Sequence, residues 1–253
     1  KPSAAFLDRI QNVFKFDPPR KAGYDTVESI HAMHDGKAKV FFAMGGNFLS
    51  ATPDTLFTSE ALRKCDLTVH VSTKLNRSHL IHGKEAIILP TLGRSDADEW
   101  NNEKQFISCE NSMGVVQLSK GNLKPISSDF LSEPVIVCKL AKAVLGSGSK
   151  VDWDLYLQHY DHIRNDIEKT IPGFENYNQR VREPGGFYLP NSSREQSFTT
   201  ISGKAEFNIA ELPQHELQSG ELLMMTIRSH DQFNTTIYGM NDRYRGIYNE
   251  RRV

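Results

Sequence analysis

The sequence has no strong excess of charge of either sign and no long apolar run. Thirty Lys and Arg residues face 31 Asp and Glu residues, and this balance gives no reason to expect nucleic acid or an anionic membrane as a partner. No apolar run approaches the roughly 20 residues needed to cross a bilayer, and the first residues have no signal-peptide core. We therefore expect a soluble, cytoplasmic chain without a membrane segment, which binds a small neutral or anionic ligand.

Cysteine is scarce as well. Cys65, Cys109 and Cys138 lie far apart and form no Cys-x-x-Cys pair, whereas structural zinc and iron–sulfur sites use several closely spaced ligands. We therefore expect reduced, mostly buried thiols and no metal ligand in this chain. The remaining composition, with 38% hydrophobic and 24% charged residues, is typical of a folded globular protein with one large domain or two smaller ones.

Short apolar runs that alternate with helical patterns predict an α/β fold class. The first run ends at Gly45-Gly46-Asn47, where glycines allow a tight turn. Residues 50–54 then supply a helix cap, with Pro53 at the first helical position, and predict a helix up to about residue 64. Strand, turn, helix, strand units form parallel sheets, so we expect a Rossmann-like parallel sheet with flanking helices. The predicted strands are residues 37–44, 67–73 and 85–90.

The second half of the chain has a weaker pattern. Apolar spacing predicts helices over residues 133–145 and 152–170, the latter capped by Asp152. Residues 173–202 have low apolar content and are interpreted as an extended connection. Residues 203–209 and 222–227 are predicted strands of a β-rich, β-barrel-like unit. The expected regions are a helical connecting segment at 1–36, an α/β domain at 37–150, a helix and linker at 151–202, and the truncated start of a β-rich domain at 203–253.

The carboxyl edge of the predicted sheet is the first candidate binding site. The Gly45-Gly46-Asn47 turn precedes a helix, and main-chain N–H groups in that position favour a phosphate or another anion. Ser72 and Thr73 end the next strand and place hydroxyl groups at the same edge, where open α/β sheets bind ligands. The turn is neither a Gly-x-Gly-x-x-Gly motif nor a P-loop, so glycines that serve only the turn are the alternative.

A polar cluster at residues 228–236 is the second candidate site. It directly follows an apolar run and can bind a ligand with several functional groups, and a solvated loop is the alternative. His230 and Asp231 are neighbours in sequence and would point apart on a strand, and no nucleophile is evident beside them. We therefore predict no catalytic residue in this chain.

Taken in order, these segments resemble the molybdopterin oxidoreductase family, in particular a formate-dehydrogenase-like branch that includes proteins associated with bacterial acid resistance. The resemblance covers nearly the whole chain, and it lies in the order of the motifs. Residues 226–239 are similar to the opening of the family's C-terminal dinucleotide-binding domain. The other matching segments are Gly23 to Thr26, Met44 to Phe48, Ser72 to Ser78, Ile87 to Pro90, Glu110-Asn111, Gln117 and the helix that ends at Leu145-Gly146.

The resemblance implies a molybdenum or tungsten ion held between the dithiolenes of two pterin guanine dinucleotides. It also implies a full-length enzyme of the formate dehydrogenase type, with a small-molecule substrate and an electron-transfer partner. Carried over to this sequence, Gly45, Gly46 and Asn47 approach a diphosphate or ribose, while Ser72, Thr73 and Asn76 line the adjacent strand edge. The implied contacts with the pterin or phosphate from the C-terminal region are Arg228, Ser229, His230, Gln232, Asn234 and Thr235.

The same resemblance implies parts that this chain does not contain. The cysteine motif for a [4Fe–4S] cluster is expected in a preceding N-terminal region, and the residue that ligates the metal is expected elsewhere in the full-length protein. The fragment alone is therefore expected to be inactive and to contribute cofactor-binding surface. Two alternatives stay open: a non-catalytic α/β nucleotide-binding or regulatory module, and a metal-free scaffold inside a larger complex.

Overall fold

A three-stranded parallel sheet lies in the N-terminal part of the molecule. The computed structural model describes residues 2–100, 102–224, 241, 246, 248 and 249. The strand order is β1-β2-β3, in which Phe42 lies opposite Val69 and Val69 lies opposite Ile87. The predicted α/β fold class is therefore confirmed. The strands are β1, Val40–Met44; β2, Leu67–Ser72; and β3, Glu85–Pro90.

Helices cover the face of this sheet that carries Phe41. Apolar side chains from these helices and from the turns between them form the first core cluster, against which Phe41 packs. Each large apolar side chain buried in this way contributes roughly 1.5–3 kcal/mol. The first core cluster consists of Ile30, Met33, Leu49, Ala61, Leu62 and Cys65. The helices on this face are α2, Thr26–His34; α3, Phe48–Ala51; and α4, Thr55–Arg63. The helix α1, Ala4–Phe14, packs instead against the helix at residues 161–170.

The main helix between β1 and β2 begins later than the sequence predicts. The one-turn helix α3 comes first, and α4 then begins at Thr55 with Asp54 as its cap. The Oδ1 atom of Asp54 accepts a hydrogen bond from the N–H of Phe57 at 3.0 Å. Pro53 therefore lies outside α4 instead of at its first position. The glycine turn that follows β1 precedes a single helical turn, so the dipole of a long helix does not act on it.

A second sheet is antiparallel and is completed by residues far along the chain. In this sheet β6 pairs with β7 and β7 pairs with β8, with Val116 opposite Phe187. The interpretation of residues 173–202 as an extended connection is wrong for residues 177–188, because the side chains of Tyr177, Val181 and Phe187 are buried there. They belong to the second core cluster: Phe106, Val116, Tyr177, Val181 and Phe187. The elements are β4, Glu99–Trp100; β5, Glu103–Lys104; β6, Ile107–Glu110; β7, Val115–Ser119; α8, Tyr177–Arg180; and β8, Phe187–Tyr188.

The predicted helix over residues 152–170 is two helices. α5, Glu133–Leu145, agrees with the prediction, whereas α6, Trp153–Gln158, and α7, Asp161–Thr170, are separated by two residues. His159 has an extended backbone, and the main-chain N–H of Tyr160 donates to a buried side chain, that of Gln105, instead of continuing the helix. This tertiary contact explains the break. Asp152 caps α6 as predicted.

The predicted strand at residues 203–209 is absent. These residues form no strand in the part of the chain that the structure describes, and Phe207 and Ile209 are fully exposed. A strand needs a hydrogen-bonded neighbour, and the antiparallel strands that the structure describes lie earlier, in β4 to β8. Residues 222–224 also form no strand, and residues 225–227 lie outside the described residues. Among the described helices, none has the length and apolar character required to cross a bilayer.

Candidate functional site

The glycine turn, Gly45-Gly46-Asn47, directly follows β1. Gly45 has a φ of 66° and Gly46 a φ of 71°, a left-handed backbone that residues with a Cβ atom adopt only at a cost. The N–H of Gly45 donates to the carbonyl oxygen of Val71 at 2.8 Å. This hydrogen bond extends the β1–β2 ladder by one step, after which the glycines turn the chain at the carboxyl edge of the sheet.

Side chains from the segment after β2 hold the glycine turn in place. The Nδ2 atom of Asn76 donates to the carbonyl oxygen of Gly46 at 2.8 Å, and the Oγ atom of Ser78 donates to Oδ1 of Asn47 at 2.9 Å. Ser78 is buried and also accepts a hydrogen bond from the N–H of Leu49 at 2.9 Å. The side chains of Asn47 and Asn76 therefore join the two strand ends to each other.

Ser72 and Thr73 differ in what they contact. The hydroxyl of Ser72 donates to the carbonyl oxygen of Lys74 at 2.7 Å, so it stabilises the local chain. Thr73 lines a cavity at the carboxyl edge of the sheet, together with Met44, the last residue of β1. Among the predicted site residues that the structure describes, Thr73 is the one that lines this cavity, and the others shape the turns beside it.

The strand-end cavity, as we name it, has a volume of about 550 Å³, which is within the usual range for small-molecule sites. It lies between the ends of β1 and β2, the loop after β3 and the beginning of α5. Apolar and aromatic side chains form much of its wall: Met44, Leu92, Phe106, Val137, Trp153 and Tyr156. Its polar lining includes Thr73, Arg94, Asp96, Asp98, Gln105, Ser132 and Glu133.

One buried tyrosine connects two walls of the strand-end cavity. The hydroxyl of Tyr160 donates to Oδ2 of Asp98 at 2.7 Å and forms a hydrogen bond of 2.5 Å with Oγ of Ser132. The main-chain N–H of Tyr160 donates to Oε1 of Gln105 at 3.1 Å. Burial, together with the Asp98 carboxylate, raises the pKa of Tyr160. The phenol therefore stays protonated and keeps its hydrogen-bond donor.

Acidic side chains outnumber basic ones around the strand-end cavity. Asp96, Asp98 and Glu133 contribute carboxylates, and Arg94 contributes a guanidinium group. One oxygen of Asp96 accepts a hydrogen bond from the N–H of Gly93 at 2.7 Å, which fixes the loop after β3. Carboxylates accept hydrogen bonds and repel phosphate groups. The interior of the cavity therefore favours an uncharged part of a ligand that carries N–H donors.

The cysteines are unbonded thiols, as the sequence predicts. Cys138 lines the strand-end cavity, and burial raises the pKa of its thiol. Cys65 lies in the first core cluster, where burial and the charge of Asp66 raise its pKa as well. A buried thiol with a raised pKa is a weak nucleophile and a weak metal ligand. In the described ranges, no group of three or more His, Cys, Asp or Glu side chains is arranged to hold a metal ion.

The cavity lies at the sheet edge where the sequence predicts a ligand, but most of its polar residues are not among the predicted ones. Asp98 and Gln105 come from a polar segment without a recognisable motif, and Ser132 precedes a predicted helix. The one feature of the sequence that points to Asp98 and Gln105 is the density of polar residues after β3. The six predicted residues of the C-terminal cluster lie outside the described residues: Arg228, Ser229, His230, Gln232, Asn234 and Thr235.

The chain is similar in sequence to longer bacterial proteins. It is 51% identical over 249 residues to an uncharacterized oxidoreductase of Mycobacterium tuberculosis (strain ATCC 25618 / H37Rv), which covers 98% of this chain and 32% of that protein. It is 46% identical over 257 residues to the protein YdeP of Escherichia coli (strain K12), which covers 100% of this chain and 34% of YdeP. These proteins are its relatives. The chain spans about a third of their length, and no family model matches it.

Proposed function

We propose that the full-length protein is an oxidoreductase of the formate dehydrogenase type, and that this chain binds part of a pterin guanine dinucleotide cofactor with molybdenum or tungsten. The similarity to a protein named an oxidoreductase supports the reaction class. The order of motifs along the sequence supports the cofactor. The structural observation that carries the proposal is the strand-end cavity, which lies at the carboxyl edge of a parallel sheet and beside the glycine turn. Ligands of open α/β sheets bind at this edge.

The residues present fit the dinucleotide end of such a cofactor. A Cβ atom built on Gly46 would meet no atom within 4 Å, so a diphosphate or ribose has space beside the glycine turn. The strand-end cavity is large enough for a purine base, and its aromatic side chains can contact the flat ring. Its carboxylates, among them Asp98 and Glu133, can accept hydrogen bonds from the N–H groups of guanine.

In this proposal, the chain binds the cofactor and orients it. When bound, the metal and its dithiolenes transfer electrons between a small substrate, formate in this proposal, and an electron-transfer partner. The glycine turn approaches the diphosphate or ribose, and the side chains of Thr73 and Asp98 line the base. The residues from Arg228 to Thr235 contact the pterin or a phosphate. The metal ligand and a [4Fe–4S] cluster belong to other parts of the full-length protein.

The test uses the full-length protein, purified after expression with molybdate and tungstate in the medium. Metal is measured by mass spectrometry, and guanine nucleotide is measured by chromatography after acid hydrolysis. We expect about two guanine nucleotides for each metal ion, and formate-dependent reduction of an artificial electron acceptor. A protein that contains neither metal nor guanine nucleotide contradicts the proposal. A protein that binds free GDP but no metal supports the non-catalytic nucleotide-binding module instead.

A further inference from the structure

β1 lies at the edge of the parallel sheet and pairs only with β2 among the strands that the structure describes. Just after β1, the N–H of Gly45 donates to the carbonyl oxygen of Val71 on β2 at 2.8 Å. Because the main-chain groups of successive residues in a strand point to opposite sides, those of Phe42 and Met44 face away from β2. Within the described part of the chain, this edge of β1 therefore has free N–H and C=O groups.

The side chains beside this open edge are apolar and exposed. Val40 is 59% exposed and Phe42 is 38% exposed, whereas Val69, which lies opposite Phe42 on β2, is 6% exposed. Phe42 also lines two grooves, of about 410 and 500 Å³, of which the first is lined by Tyr24 and the second by Leu140 of α5. Parallel sheets in proteins are normally covered on both faces. The sheet face that carries Phe42 is therefore buried at its central strand and uncovered at β1.

The opposite edge of the sheet, formed by β3, is protected against the addition of a strand. The N–H of Thr91 donates to the carbonyl oxygen of Ser72 on β2 at 3.3 Å, so residue 90 faces away from β2, and it is Pro90, which has no N–H group. Beyond it, the N–H of Leu92 donates to the carbonyl oxygen of Leu131 at 3.1 Å. The five residues of β1, VFFAM, include neither a proline nor a charge, which are usual means of preventing strand addition.

The length of the relatives favours the same polypeptide as the source of a strand for this edge. The chain covers 32% of the Mycobacterium tuberculosis relative, so about two thirds of a protein of that length lies outside the matched region. A second copy of the chain is the other source, but in a closed twofold dimer the two β1 strands would run antiparallel, whereas purely parallel sheets are over-represented in proteins. A segment of the same polypeptide also binds at a high effective concentration.

We propose that, in the full-length protein, a strand from the polypeptide outside this chain pairs with β1 in the parallel direction and makes β1 an internal strand. The added strand has apolar side chains at every second position, which pack beside Val40 and Phe42. Because the two strands run parallel, the added strand ends beside the glycine turn that follows Met44. The glycine turn then lies between two strand ends, where open α/β sheets bind ligands. This inference goes beyond the proposed function, because it requires no cofactor.

Hydrogen exchange in the wild-type full-length protein tests the pairing, with mass spectrometry that resolves single residues. An internal strand protects every main-chain N–H group, whereas an edge strand protects every second one. We expect Phe42 and Met44 to exchange within about tenfold of the rate of Ala43, whose N–H faces β2. The central strand β2 is the internal reference. Exchange at Phe42 and Met44 that is about a hundredfold or more faster than at Ala43 overturns the proposal.

Photo-crosslinking identifies the segment that pairs with β1. Full-length protein carries the substitution Val40→p-benzoylphenylalanine, and peptide mapping after irradiation locates the crosslink. We expect position 40 to be joined, within one polypeptide, to an apolar segment outside this chain, with a yield that dilution does not change. The matched control is Val144→p-benzoylphenylalanine, because Val144 is also an exposed valine but lies on α5 instead of the sheet. Position 144 should not be joined to that segment.

The other outcomes of the crosslinking overturn the proposal. A crosslink between two copies shows that a homodimer covers the edge, and a crosslink from position 40 to another part of this chain shows that its own residues do so. The absence of any crosslink at position 40 shows that the edge is open. A segment joined to both positions 40 and 144 shows contact that is not specific to the edge of β1. Hydrogen exchange needs no substitution, so it decides the question if the position-40 variant fails to fold.

Discussion

The side-chain amide of Asn76 donates a hydrogen bond of 2.8 Å to the main-chain carbonyl oxygen of Gly46, and it thereby joins the turn after β1 to the segment after β2. The oxygen of the same amide accepts the N–H of Ser78 at 2.9 Å. Asn76 therefore stabilises two turns at once, one through each end of its side chain. This arrangement sets the shape of the sheet edge beside the strand-end cavity.

Replacement of Asn76 should weaken that edge. We expect Asn76→Ala to lower the free energy of unfolding by about 1–2 kcal/mol, because it removes two hydrogen bonds, one of them a capping interaction. Asn76→Asp keeps the acceptor for the N–H of Ser78 and should lower the free energy of unfolding by less than Asn76→Ala does. Urea unfolding of the chain measures both effects. Asn12→Ala, on the exposed surface of α1, is the control, and a loss of equal size there would contradict the assignment.

Gly46 and Gly148 allow the effect of backbone strain on stability to be measured without a steric clash. A Cβ atom on Gly46 or on Gly148 would meet no atom within 4 Å, but Gly46 has a φ of 71° and Gly148 is not in the left-handed region. We expect Gly46→Ala to destabilise the chain by about 1–2 kcal/mol. Gly148→Ala should be neutral or stabilise it by up to about 1 kcal/mol. Thermal unfolding of the two variants checks the difference, and equal midpoints would rule out strain as the cause.

Arg164 connects α7 to the second core cluster. It is 4% exposed, donates to the carbonyl oxygen of Phe106 at 3.0 Å and to Oδ1 of Asn178 at 2.7 Å, and pairs with Asp161. Its guanidinium carbon lies 4.0 Å from the centre of the Phe106 ring. We expect Arg164→Met to lower the free energy of unfolding by about 3–5 kcal/mol, because it leaves buried polar partners without a donor.

Arg182 provides the comparison for Arg164. It also pairs with Asp161, with both N–O distances at 2.7 Å, but its side chain is 40% exposed. An exposed ion pair contributes about 0–1 kcal/mol, so Arg182→Met should have a much smaller effect than Arg164→Met. Urea unfolding of both variants in parallel tests this order, and equal losses would show that burial does not decide the contribution.

His70 should make the stability of the chain depend on pH. Its ring centre lies 4.7 Å from that of His79, and burial, with a smaller contribution from His79, lowers the pKa of His70 below its usual value of 6.5. As the pH falls below about 6.5, the unfolded chain binds a proton that the folded chain does not, so stability decreases. The loss levels off once the pH falls below the pKa of folded His70.

The measurement is the free energy of unfolding between about pH 7 and pH 5. We expect His70→Phe, which keeps an aromatic ring beside Phe41 and His79, to have a shallower dependence on pH than the wild type. The exposed His215 serves as the control, because His215→Gln should retain the wild-type slope. A His70→Phe slope that equals the wild-type slope would show that another group titrates.

The sequence predicts elements well where local pattern and tertiary structure agree. β3 and α5 have the predicted bounds, because each is a continuous apolar or amphipathic run that ends at proline or glycine. The break between α6 and α7 could not be predicted, since Tyr160 leaves the helical pattern for a contact with Gln105, far away in sequence. The sequence does not predict the strand β8 for a similar reason, because its partner in β7 is distant along the chain.

The candidate site, like the fold, can be predicted from the sequence only in part. Gly45 and Gly46 could be located from sequence, because a glycine pair at the end of an apolar run indicates a turn. The side chains of Asn47 and Asn76, predicted as ligand contacts, form hydrogen bonds with neighbouring turns in the structure. The polar lining of the strand-end cavity depends on how the loop after β3 folds against α5 and α7. No local pattern encodes that arrangement.

The pairing of β8 with β7 has a consequence for the order in which the chain folds during synthesis. All residues of the first core cluster lie between positions 30 and 65, so this cluster can assemble soon after its residues leave the ribosome. Phe187, by contrast, must be synthesised before it can cover Val116 in the second core cluster. During that interval β7 is an apolar strand with an unpaired edge, which is the kind of segment that aggregates. Chaperone binding to nascent chains should therefore concentrate on residues 106–119 until residue 187 has emerged.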